Sequence, residues 1–179
     1  CLGRFKNVNK AVPAHFQNND SVILLIGERK NELGGSVYYS LKNELGANVP
    51  KPNFEEVRNQ IFALTDCIDS GLVLSCHDIA DGGIASALAE MTFRNSIGCN
   101  VNIESDLSPD KILFSETGGF ILEVLPKNVD TIKSVFSNYE LGVFEIGSTG
   151  GESIQINGIT DIFVSETKKA WTNGLREKL

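Results

Sequence analysis

Three places in the chain of 179 residues pair two glycines with acidic or hydroxyl side chains. They are Glu32-Leu33-Gly34-Gly35-Ser36, Asp78-Ile79-Ala80-Asp81-Gly82-Gly83 and Ser115-Glu116-Thr117-Gly118-Gly119. Glycine lets a backbone come close to a neighbour or a ligand and adopt left-handed conformations. Two of the stretches precede expected helices, where free N–H groups and the helix dipole favour an anion. Phosphate contact and plain close packing are the two functions open to them, and packing accounts for the glycines with fewer assumptions. Their spacing matches neither a Walker loop nor a dinucleotide-binding fingerprint.

His77 and Asp78 bring imidazole and carboxylate together, the usual carriers of protons. The only other histidine, His15, lies in an irregular region, and no Ser-His-Asp or Cys-His set can be assembled. Cys76 and His77 are neighbours in an expected strand, so their side chains point to opposite faces and a dyad is disfavoured. His77 is expected to hydrogen-bond the turn that follows it. Asp81 is expected to cap the next helix, a contribution of about 1 kcal/mol. Asp78 with Asp81 offers hard oxygen ligands of the kind magnesium takes. Two carboxylates without a companion do not define a site, so the residues assign neither a catalytic group nor a metal ligand.

The elements that must hold these residues are readable from periodicity. Residues 21–27 form a continuous apolar run, Ser-Val-Ile-Leu-Leu-Ile-Gly, that predicts a central buried strand. A helix is expected over 37–46, with Tyr38, Leu41 and Leu45 on one face and Gly46 as its stop. A second helix is expected after Asn53, burying Phe54, Val57, Ile61, Leu64 and Ile68. A strand over 72–76, a turn over 77–81 and a helix from 82 to about 95 carry the second glycine pair. Gly98 to Glu104 alternates as a half-buried strand, and Ser108-Pro109-Asp110 starts a helix. A strand over 120–125 stops at Pro126 and is followed by a helix through Val129, Ile132 and Val135. Residues 142–148 and 153–156 predict strands around Thr149-Gly150-Gly151, with a hairpin as one pairing, and 159–164 a last short strand. Ser165 is expected to cap a terminal helix with Trp171, Leu175 and Leu179 on one face. Residues 1–20 are irregular. The expected fold class is α/β (α+β), a mixed β-sheet flanked by helices, in one domain over 1–179.

Bulk properties narrow the function classes. Hydrophobic content of 41% and charged content of 22% are ordinary for a globular protein. A net charge of −7 argues against a nucleic-acid or anionic-membrane surface. No apolar run reaches the length of a membrane span or signal peptide. The four cysteines, at positions 1, 67, 76 and 99, lack metal-ribbon spacing and are expected as reduced thiols in the cytoplasm. The chain starts at Cys1 and its only methionine is Met91, which suggests a fragment of a longer polypeptide.

Taken together, the motifs are more specific than their parts. Leu25-Ile26-Gly27-Glu28 followed by Asn31-Glu32-Leu33-Gly34-Gly35-Ser36 resembles the GxTxxELGGSxY segment of the phosphoribosylformylglycinamidine synthase family. Ser75-Cys76-His77-Asp78-Ile79-Ala80-Asp81-Gly82-Gly83-Ile84, with Ala87-Leu88-Ala89-Glu90-Met91, is similar to its S-HD-SDGGL-ALAEM stretch, and Leu113-Phe114-Ser115-Glu116 to its LFSE segment. The order, the spacing and the closing Ala170-Trp171 to Leu175 fit over roughly residues 8 to 179. The resemblance implies the second C-type domain of that synthetase, with the C-terminal-domain fold of aminoimidazole ribonucleotide synthetase. It implies a share in an ATP-dependent ligation in which formylglycinamide ribonucleotide and glutamine-derived ammonia give the formylglycinamidine product. ATP and Mg would be bound mainly by domains outside this chain, and the chain would be inactive alone. Gly34, Gly35, Ser36, His77, Asp78, Asp81, Gly82, Gly83, Ser115 and Glu116 would lie near the interdomain cleft. Relatives usually carry an Arg after this last segment, where this chain has Gly118-Gly119-Phe120, so a phosphate role for 115–119 does not carry over. The implied partners are the remaining synthetase domains, a glutaminase and a small accessory subunit. The alternatives are the matching domain of another ATP-dependent enzyme of the superfamily, or a non-catalytic module that docks a glutaminase.

Overall fold

The structure, a computed structural model, describes residues 7–174. In chain order its elements are β1 (Val22–Ile26), α1 (Val37–Ser40), α2 (Phe54–Asp69), β2 (Val73–Asp78), α3 (Gly83–Thr92), β3 (Cys99–Val101), α4 (Pro109–Phe114), β4 (Phe120–Val124), α5 (Val129–Ser137), β5 (Val143–Thr149), β6 (Ser153–Ile156), β7 (Thr160–Phe163) and α6 (Val164–Asn173). The strands form one seven-stranded sheet in the order β2-β4-β1-β5-β3-β6-β7. Every pairing is antiparallel except β3 with β6.

The apolar run of β1 is continuous because both faces of the sheet are covered. Successive strand residues point to opposite faces. Ile23 and Leu25 join a core with Ile84, Leu88 and Met91 of α3 and Ile112 and Leu113 of α4. Leu24 and Ile26 join a second core with Ala63, Leu64 and Cys67 of α2 and Ile132 and Phe136 of α5. The sheet is therefore the middle of three layers, and the expected mixed sheet flanked by helices is what forms.

Several local expectations are corrected. The helix over 37–46 is a single turn, and Leu41 and Leu45 are 80% and 78% exposed. The amides of Gly34 and Gly35 donate to the carbonyls of Asn48 and Leu45, folding the segment into a closed loop. A helix this short gains too few hydrogen bonds to offset its nucleation. Asn53 caps α2 as expected, its Oδ1 accepting from the amides of Glu55 and Glu56. The buried stripe, however, is Gln60, Ala63, Leu64 and Cys67, while Phe54, Val57 and Ile61 face outward. Small Ala63 and Cys67 let α2 settle close to Leu24 and Leu122, which the larger side chains would prevent.

β5 and β6 do not make a hairpin, because β3 lies between them. Gly98 and Gly150–Gly151 exchange backbone hydrogen bonds at that junction. β2 runs on through Asp78 because β4 supplies partners to Phe120, so His77 and Asp78 end a strand rather than form a turn. The residue capping α6 is Phe163, which places Ser165 inside the first turn. Trp171 is largely exposed and rests against the Phe93 ring, and Leu175 and Leu179 lie outside the described residues.

The irregular lead-in is firmly docked from Pro13 onward. The Pro13 carbonyl accepts from the Cys76 amide on the β2 edge, and the amide of fully buried Phe16 donates to the Met91 carbonyl. Cys67, Cys76 and Cys99 are free thiols, and burial pushes them up to about 11, 12 and 12, so they stay protonated near neutral pH. Cys1 lies outside the described residues. None of the described helices is long and apolar enough to cross a membrane.

Candidate functional site

The three double-glycine stretches, far apart in sequence, meet at one end of the sheet. β1 ends there at Ile26, β4 begins there at Phe120 and β2 ends there at Asp78. Phe120 pairs with Ile26 on one side and with Asp78 on the other. The loops that leave these three strand ends carry the motifs.

Glu116 joins them. Its Oε1 accepts from the Gly82 amide at 2.8 Å and from the Val37 amide at 2.9 Å. These donors open α3 and α1, where an external anion would otherwise bind. An internal carboxylate thus fills the position that sequence alone left open to a phosphate.

Ser115 ties the third loop to the first. It is fully buried, its hydroxyl donates to the Lys30 carbonyl at 2.7 Å, and its carbonyl accepts from Arg29 Nη1 at 3.4 Å. Arg29 Nη2 donates to the Gly118 carbonyl. Burial pulls the Arg29 guanidinium down to about 10, against the opposing field of Glu32, so it remains charged at neutral pH. Arg29 is the chief residue that the sequence did not flag, since it sits in the charged run Glu28-Arg29-Lys30-Asn31-Glu32, which reads as a solvated loop. Among the described residues, three buried polar atoms in these loops have no hydrogen-bond partner: Arg29 Nε, Glu32 Oε2 and Thr117 Oγ1. A group of this kind left without water or partner costs about 1–3 kcal/mol, so these loops hold polar atoms that a contact from outside the chain could satisfy.

The other residues singled out from the sequence have mostly structural duties here. Ser36 caps α1, accepting from the Tyr39 amide and donating to the Leu33 carbonyl. A Cβ at Gly34 would lie 2.7 Å from the Asn48 carbonyl, and one at Gly83 would lie 2.6 Å from that of Leu113. Gly35 adopts φ +75° in open space, so it serves conformation and not packing. The residue capping α3 is Gly82, with φ +78° and no side-chain bond, so Asp81 is not the expected cap. Glu116 takes over the task from 34 residues away. His77 Nδ1 faces the Asp78 carbonyl at 2.7 Å and Nε2 faces Glu90 Oε2 at 3.2 Å, so the ring bridges β2 and α3. Asp78 is exposed.

Two cavities open beside the cluster and share Gly27, Glu28 and Phe144. One, of about 740 Å³, is lined by Leu25, Arg29, Asn102, Ile103 and Ile146 among others. The second, of about 490 Å³, is lined by Asn53, Glu56, Gln60 and Tyr139 among others. Neither is lined by any of the ten residues expected near the cleft. Among the described residues no three His, Cys, Asp or Glu side chains are placed to hold a metal. That donor set does not fit a bound Mg ion.

Glu116→Ala should free the amides of Val37 and Gly82. Their hydrogen exchange is expected to quicken, with a loss of about 1–3 kcal/mol, while Glu116→Gln, which keeps an acceptor oxygen, should lose less. Unchanged protection of both amides in Glu116→Ala would show that the carboxylate does not hold the loops.

Residues 18–157 match the family described as AIR synthase related protein, C-terminal domain. The chain is 32% identical over 186 residues to phosphoribosylformylglycinamidine synthase subunit PurL of Methanothrix thermoacetophila, covering 100% of this chain and 24% of that protein. It is 34% identical over 182 residues to the same subunit of Thermoplasma volcanium, covering 97% of this chain and 23% of that one. The chain therefore spans about a quarter of the length of the curated relatives it matches. Among solved structures, T. maritima PurL complexed with FGAR gives a TM-score of 0.75 at 19% identity, over 90% of this chain and 30% of that one. T. maritima PurL complexed with ATP gives 0.70 and PurLQS from Thermotoga maritima 0.71, each at 18% identity over 90% of this chain and 28% of that one. At these identities the solved structures speak to the fold alone.

Proposed function

The chain belongs to the AIR synthase related protein C-terminal domain family, and from that premise we propose that it is one module of a phosphoribosylformylglycinamidine synthase. The whole enzyme would join glutamine-derived ammonia to formylglycinamide ribonucleotide at the expense of ATP, in the cytoplasm. ATP would supply the phosphoryl group that activates the amide oxygen. This chain's own part is to build a wall of the interdomain cleft. The observation that carries the proposal is the meeting of all three family-like motifs in one loop cluster, clasped by Glu116, Ser115 and Arg29.

Gly34, Gly35, Ser36, His77, Asp78, Asp81, Gly82, Gly83, Ser115 and Glu116 would then act by shaping that wall. Backbone donors that a phosphate could use are held by Glu116, which favours a framing role over direct nucleotide contact. Catalytic groups, Mg and most of the nucleotide site would come from other domains. Partners would be those domains, a glutaminase and a small accessory subunit.

The test is turnover. The 179-residue chain, given formylglycinamide ribonucleotide, ATP, Mg and ammonium, should form no formylglycinamidine product. Adding the remaining domains of the synthetase should restore it. Product formed by the chain alone would overturn the framing role.

A further inference from the structure

α2 carries two adjacent apolar stripes, and the fold uses only one of them. Gln60, Ala63, Leu64 and Cys67 close onto the sheet. Phe54, Val57 and Ile61, spaced three and four apart on one helical face, remain in solvent, and Phe54 is 82% exposed. The loop before α2 adds Leu41 and Leu45. More than half of the large apolar side chains exposed among the described residues fall between positions 37 and 62. Single exposed apolar residues are ordinary, but Phe54, Val57 and Ile61 share one helical face, and an apolar stripe of that kind left in solvent is a candidate contact surface.

Two observations identify the occupant. Curated relatives at 32% and 34% identity are about four times as long as this chain. Most of such a polypeptide lies outside the domain and must pack on it somewhere. The apolar segment is also continuous along the chain with the loop cluster, since Gly34 and Gly35 bond to Asn48 and Leu45 within the same closed loop. A surface joined in this way to the cleft wall is placed to seat the domain that forms the opposite wall. Glu55 and Arg58 neighbour this apolar stripe along the helix and are exposed, as the polar rim of an interface would be.

We propose that the outer face of α2, carrying Phe54, Val57 and Ile61, is the docking surface for the synthetase domain that forms the opposite wall of the cleft, which presents an apolar patch to it. The proposal rests on the functional assignment above for the existence of that domain. Docking here would hold the Glu32–Ser36 loop in one position relative to its neighbour. It also explains why α2 keeps phenylalanine and isoleucine at positions its own core does not need.

Hydroxyl-radical footprinting tests the surface, on the 179-residue chain and on the longer synthetase polypeptide that contains it. Labelling of Phe54, Val57 and Ile61 should fall by about an order of magnitude in the longer polypeptide, as expected for residues at the centre of an interface. Unchanged labelling overturns the proposal. Phe54→Asp with Ile61→Asp should leave the melting temperature of the shorter chain unaltered and lower that of the longer polypeptide. Equal lowering in both would show that these side chains serve the domain's own core, against the proposal. Protection in the free chain that grows with its concentration would assign the face to a second copy and also overturn it. Ligase turnover of the longer polypeptide is measured alongside. Protection without turnover upholds docking and sinks the functional assignment, whereas turnover without protection sinks docking alone.

Discussion

Replacing Glu123 by alanine should cost the fold about 3 kcal/mol, read as a lower urea midpoint at unchanged slope. Glu123 lies in β4 with no solvent exposure, on a strand otherwise made of Phe, Ile, Leu and Val. A carboxylate buried there survives only because its lone pairs are used. Oε2 accepts from the Gln17 amide at 2.7 Å and the Ser75 hydroxyl at 2.8 Å, and Oε1 accepts from the Asn18 amide at 2.9 Å. Those donors belong to the lead-in and to β2, so one side chain ties the entering chain to two neighbouring strands. Alanine leaves the fully buried Ser75 hydroxyl and the part-buried Gln17 and Asn18 amides without their acceptor. Glutamine keeps the shape and one acceptor but turns an NH₂ toward another donor, so its loss should be smaller. Faster exchange at the Gln17 and Asn18 amides should accompany both changes. A midpoint equal to that of the unaltered protein would mean that the carboxylate is dispensable.

Gly119→Ala should be at least as damaging, and it should act on the candidate site. A Cβ at Gly119 would stand 2.3 Å from the carbonyl oxygen of Ile26, in the backbone of the central strand, and φ is +109°. The oxygen cannot swing away as a side chain would, because β1 is paired on both edges. Either β1 shifts against β4 or the 115–119 loop lifts away, and the Ile79 amide then loses the Gly119 carbonyl. The expected cost is about 3 kcal/mol or more, combining overpacking with backbone strain. Gly118 supplies the control. Its φ is +89° but a Cβ added there would meet no atom within 4 Å, so Gly118→Ala should lose only the conformational part, about 1–2 kcal/mol. Melting temperatures of the two variants should separate clearly. If they coincide, close approach to β1 is not what requires glycine at position 119.

The contrast between these positions shows how far residue types alone can lead. The apolar run of β1, the Asn53 start of α2, the Pro109 start of α4 and the stop of β4 at Pro126 are all legible. Each depends on interactions within a few residues: alternation, a cap, a ring that fixes φ. The family resemblance is legible for the same reason, since ordered motifs survive as local strings. A lone Glu within the apolar run of 120–124 is also a usable sign of a buried, hydrogen-bonded carboxyl group, though periodicity alone does not draw attention to it.

What stays hidden is set by partners distant in sequence. Two stripes of α2 are apolar enough to be buried, and only the surfaces of β1, β4 and α5 choose between them. β3 slips between β5 and β6 because sheet order follows long-range pairing, which the glycine turn at 149–151 does not report. Asp81 looks like a cap because caps are normally adjacent, yet the donor at Gly82 is satisfied by Glu116. By itself the sequence determined the class of sheet, most of the helices and the kinship of the three motifs, because those are written in neighbouring residues. Only the tertiary structure decided that the motifs share one cluster, that a carboxylate occupies their anion position and that one face of α2 stays outside. Those outcomes depend on contacts between segments that meet only when the chain has folded.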